Sequence, residues 1–142
     1  HLRREASLAF PWPRSIYVDL VRFLRQAGAK AIVFDLLFTE PTQAADDRVL
    51  AEAIAEPGAP VILSFVMLGW RDSGFDADED ERFAARGRSA GGVPGALAEL
   101  RGVSLSIPEL DAATPLAGFV NVKRDVDDIV RRMEVVRRSR EM

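Results

Sequence analysis

Ala31-Ile32-Val33-Phe34-Asp35-Leu36-Leu37-Phe38-Thr39-Glu40-Pro41 is the stretch on which the fold turns. Seven of the eight residues from Ala31 to Phe38 are apolar, the pattern of a strand covered on both faces, and Pro41 ends it in a turn. One carboxylate interrupts the run. An acid in such a strand must be hydrogen-bonded, paired or neutral, so the expectation is a buried Asp35. It is either a site or a structural tie that accepts N–H bonds from the adjacent loop.

Upstream, Pro11-Trp12-Pro13 reads as an extended entry, with Pro13 suited to the first helical position and Trp12 to a core plug. The helix that follows runs to about Ala27. Ser15, Asp19, Arg22 and Gln26 mark its wet face, Tyr17, Leu20, Val21 and Leu24 its apolar one, and Gly28 stops it. Downstream, Asp46 to Ala55 is expected to be helical, with Asp46 and Asp47 favourable against its N-terminal dipole. Glu56-Pro57-Gly58 ends it, and Pro60 to Leu68 is a second apolar strand. Strand, helix and strand with short joints predict a right-handed parallel βαβ crossover and hence an α/β fold, a mixed sheet with flanking helices.

From Gly69 to Gly92 the pattern fails, and residues 69–92 read as a long loop or insertion rich in Asp, Glu, Arg and Gly. Asp76, Asp78 and Asp80 imitate the start of a calcium loop. Glu81 stands where that loop needs Gly, and Gly87 where it needs a bidentate Glu, so no calcium site is expected. Pro94 to Arg101 is read as a short helix, Val103 to Ile107 as a strand, and Pro108 to Leu116 as a helical turn broken at Pro115. Gly118 to Val122 and Ile129 to Val136 read as the arms of a C-terminal antiparallel hairpin.

The whole chain, 142 residues, fits a single domain and is too short for a barrel of eight βα units, which needs roughly 200 residues. Nineteen bases against 22 acids give no general attraction to nucleic acid or anionic lipid. With no cysteine, and His1 as the one histidine at a terminus and reading as a tag remnant, the chain cannot assemble Ser-His-Asp, Cys-His or His-rich metal sites by itself. No glycine-rich phosphate loop is present, and the longest apolar stretch, Ala59 to Gly69, falls short of the roughly 18 residues that span a bilayer.

The candidate ligand-binding residues are Asp35, Glu40, Asp47 and Asn121. Asp35 and Glu40 lie where open α/β sheets place ligands, at the carboxyl end of a strand. Two readings stay open on these residues: a small metal-assisted phosphoester hydrolase using Asp35 and Glu40, and a protein-interaction module with no small ligand.

Trp12-Pro13-Arg14-Ser15, Gly28-Ala29-Lys30, Phe34-Asp35-Leu36-Leu37-Phe38-Thr39-Glu40-Pro41, Asp46-Asp47 and Gly118-Phe119-Val120-Asn121, followed by Asp125, Asp127 and Val130-Arg131-Arg132, form an ordered set. Taken together it resembles the CHASE domain of the second type, a cyclase/histidine-kinase-associated sensory extracellular domain. The resemblance spans roughly residues 10 to 136 in the family's order. It implies an extracytoplasmic sensor and no catalysis, metal or cofactor in this chain. It further implies membrane attachment through segments outside the chain, an attached cyclase or kinase as output, and a homodimer in the full-length receptor. On this resemblance the expected stimulus is a small molecule or a protein, and residues 1–142 are expected to be the N-terminal half of a longer sensor.

Overall fold

The computed structural model describes residues 12–68, 76–85, 99–100, 102–122, 127 and 138–139. In chain order the elements are α1 (Arg14–Gln26), β1 (Ile32–Val33), α2 (Ala44–Ala55), β2 (Val61–Leu68), α3 (Ala77–Ala85), β3 (Glu99–Leu100), β4 (Gly102–Ser104), α4 (Pro108–Ala113), β5 (Ala117–Phe119) and β6 (Arg138–Ser139). The fold is mixed α/β.

β2 organises the sheet. β1 pairs in parallel with its start (Ile32 opposite Val61), β5 in parallel with its middle (Gly118 opposite Ser64), and β4 antiparallel with its end (Met67 opposite Val103). β3 and β6 form a separate parallel pair. Val61, Leu63, Phe65 and Met67 alternate along β2 and are all buried, as the period of two dictates for one covered face. Val61 and Leu63 lie in the main core with Val21 of α1, Leu50 and Ile54 of α2 and Leu110 of α4. Phe65 and Met67 join Val103, Leu105 and Phe83 of α3 in a second cluster.

α1 begins after Pro13 and stops at Gly28, whose φ of +83° is the left-handed conformation that closes a helix. Leu24 and Arg25 carbonyls accept the N–H groups of Ala29 and Gly28 there. α1 and α2 run side by side in the same direction, joined at both ends by arginines of α1. Arg14 at the start of α1 meets Asp47 in the first turn of α2. Near the other end Arg25 donates to the carbonyls of Ala53, Ile54 (2.9 Å) and Ala59 (3.3 Å). Those of Ala53 and Ile54 are carbonyls that the end of α2 leaves without internal partners. Residue 58 is glycine because its φ of +140° is one that L side chains rarely adopt, and a Cβ there would also stand 3.0 Å from Arg25 Cδ.

The expectation for the opening stretch is corrected in one respect. Asp35 is exposed, and β1 is two residues long with Val33 65% exposed. Ile32, Phe34 and Phe38 point into the core while Val33, Asp35 and Leu37 alternate outward. The strand is covered on one face only, so Asp35 sits in water and needs no buried partner.

Trp12 is likewise 46% exposed, not a core plug. Within the stretch read as a loop, residues 77–85 form α3, capped by Asp76 Oδ1 accepting the N–H of Asp78 at 2.9 Å. Of the helix expected over Pro94 to Arg101, Glu99–Leu100 is strand β3 and the remainder lies outside the described residues. The hairpin arm Ile129 to Val136 also lies outside them; its first arm is β5, parallel to β2.

Candidate functional site

A cleft of about 310 Å³ opens where the chain leaves β1, lined by Trp12, Arg14, Tyr17 and residues 36–42. Its floor is aromatic. Tyr17 and Phe38 of the lining meet edge to face at 5.6 Å between centroids, Phe34, outside the lining, meets both at 5.6 to 5.8 Å, and Trp12 lies tilted 6.4 Å from Tyr17. Edge-to-face contact is one of the arrangements that aromatic pairs prefer.

Arg14 is the buried polar residue of the lining, only 3% exposed although it begins a helix, while Thr39, Glu40 and Thr42 are exposed. The guanidinium carbon stands 5.3 Å over the Phe38 ring, and Nη2 donates to the carbonyl of Glu40. Nη1 lies 2.8 Å from Asp47 Oδ1 without an aligned N–H, so that contact is ionic rather than hydrogen-bonded. Asp47, 4% exposed, also accepts from Thr42, whose N–H reaches Oδ2 at 3.0 Å and whose hydroxyl reaches Oδ1 at 2.6 Å. Arg14 and Asp47 thus pin both ends of the segment 40–42.

The four sequence-derived candidates do not converge. Glu40 lines the cleft, and Asp47 stands behind it as the partner of Arg14. Asp35 is exposed and outside the lining. Asn121 is elsewhere, against β2: its Oδ1 accepts the Met67 N–H at 2.7 Å and its Nδ2 donates to the Met67 carbonyl at 2.8 Å. A side-chain amide there replaces a peptide group and prolongs the β5 ladder by one residue. No group of three or more His, Cys, Asp or Glu side chains that could hold a metal is found among the described residues.

Arg14 is the residue sequence reasoning missed. Its partner is 33 positions away, and no local pattern distinguishes it from an exposed arginine in the first turn of a helix.

The family model of the CHASE2 domain matches residues 2–141, nearly the whole chain. The chain belongs to the CHASE2 domain family. CHASE2 domains are extracellular sensory domains of signalling proteins, not catalytic units. No curated protein and no solved structure matches the chain. No helix among the described residues of this CHASE2 domain is long and apolar enough to cross a membrane.

Proposed function

We propose that this CHASE2 domain is the extracytoplasmic input unit of a membrane-bound receptor with a cyclase or kinase output, and that its stimulus acts at the cleft beside Arg14. The observation that carries the reading is the Arg14 contact set. One buried guanidinium holds the cleft segment through the Glu40 carbonyl, the aromatic floor through Phe38, and α2 through Asp47. A molecule that displaces residues 40–42 therefore displaces the first turn of α1 and of α2 as well. Such a stimulus shifts the balance between two arrangements by its differential affinity for them, and the receptor, working as a dimer, passes the bias across the membrane. Glu40 is the contact residue in this scheme and Asp47 the positioning one.

The test uses the full-length receptor. A phosphatase reporter inserted between Gly87 and Gly92, beyond the end of α3, is expected to be active, as only exported phosphatase is. Arg14→Met, with export and folding checked, is expected to alter basal output or response. A reporter active only in the cytoplasm refutes the location. A correctly exported, folded Arg14→Met receptor with parental output refutes the cleft as the route.

A further inference from the structure

α3 holds the sheet in an unusual way. Glu79 Oε1 accepts the N–H of Leu105 at 3.0 Å, and Asp80 Oδ1 accepts the N–H of Val103 at 3.1 Å. Alternate N–H groups of an extended chain face one edge, so two consecutive carboxylates do along β4 what another strand would do. Phe83 adds a ring contact with Phe65 at 5.2 Å. Arg82 reaches the Ser106 carbonyl at 3.2 Å and Asp111 of α4 at 3.1 Å.

The charges around this contact are lopsided. Asp76 and Asp80 act on Glu79 from its own segment, which also carries Asp78 and Glu81, and α4 carries Asp111 and Glu109. Residues 102–107 contribute no titratable side chain. Arg82 is the one cation of α3 and is shared among Asp78 (3.3 Å), Glu79 (4.0 Å) and Asp111. Burial pushes the Glu79 carboxyl above its ordinary value; the Leu105 N–H and Arg82 oppose the shift, and Asp76 and Asp80 add to it.

We propose that α3 is a proton-tightened clamp on the edge of β4, with Glu79 as the group that takes up the proton. A neutral Glu79 still accepts the Leu105 N–H through its carbonyl oxygen, while the cost of dehydrating an anion beside other anions disappears. A carboxyl that holds its proton more firmly docked than undocked favours docking at acidic pH. That extra hold is full below the ordinary glutamate range and is lost as pH rises through the docked-state value. An extracellular sensory domain meets ambient pH directly, and the clamp makes the α3–β4 contact responsive to it, independently of the cleft.

The test is amide exchange of Leu105 in the intact chain, corrected for the intrinsic pH dependence of exchange, from about pH 7 to about pH 4.5, across the usual carboxylate range. Protection is expected to rise several-fold on acidification. Glu79→Gln, permanently neutral with its acceptor kept, should show the high protection at both ends. Protection that is flat or falls on acidification, or Glu79→Gln protection no better than parental at neutral pH, overturns the clamp. If the variant does not fold, the carbon resonance of the Glu79 carboxyl in the unaltered chain decides: a midpoint above that of an ordinary glutamate upholds the proposal, and one at or below it overturns it.

Discussion

Asp47→Ala gives the sharpest test of what holds the cleft together. The substitution leaves Arg14, 3% exposed, without its counter-charge, and removes the acceptor of two Thr42 bonds. Thr42 is exposed, so water replaces those two bonds and they add little. The stranded guanidinium dominates: removing one partner of a buried ion pair costs about 3 to 5 kcal/mol. Domains of this kind have about 5 to 15 kcal/mol in total. With a urea dependence of about 2 kcal/mol per M, the midpoint should fall by about 2 M. Urea unfolding followed by circular dichroism measures it. The double variant Arg14→Met/Asp47→Leu removes both charges and should return to within about 1 kcal/mol of the parent. A loss below about 1 kcal/mol for Asp47→Ala alone, the size typical of an exposed pair, would refute the argument that the pair is buried and structural.

Asn121→Ala removes both bonds to the Met67 backbone and should cost about 1 to 3 kcal/mol, with faster amide exchange at Met67 as the site-specific signature. Gly28→Ala meets no atom within 4 Å, so its cost is backbone strain alone. Thermal unfolding should report about 1 to 2 kcal/mol for it, and less for Gly28→Asn. Asp35→Ala, at an exposed position, should stay within about 0.5 kcal/mol of the parent in the same denaturant assay, and a larger loss would mean that Asp35 is held after all.

The sequence was informative wherever structure is decided locally. Pro13 and Gly28 bracket α1, the Asp46-Asp47 pair and the Glu56-Pro57-Gly58 break bracket α2, and the apolar run to Leu68 marks β2, because caps, dipoles and breakers act over a few residues. α3 was invisible for the opposite reason. Its segment offers one large apolar residue, Phe83, and its place is set by Glu79 and Asp80 reaching backbone groups 26 and 23 positions away. Asp35 misled because an apolar run looks the same whether a strand is covered on one face or two; the difference lies in which elements pack on it. At the candidate site, Glu40 was singled out for its position after a strand, and it lines the cleft. The Arg14 and Asp47 pair, and the structural use of the Asn121 amide, depend on contacts that no local window contains.

The two arginines of α1 have a mechanical meaning. Arg14 and Arg25 are eleven positions apart, about three turns and about 16 Å along one side of the helix. Each grips a different end of α2, one by charge and one by a fork of hydrogen bonds. Two rods riveted at both ends cannot twist or scissor relative to each other; they travel as a single girder. The girder rests on the sheet through Val21, Leu50, Ile54, Val61 and Leu63, which are apolar contacts without direction. A displacement of α1 relative to the sheet is therefore passed to α2 through a polar tie at each end.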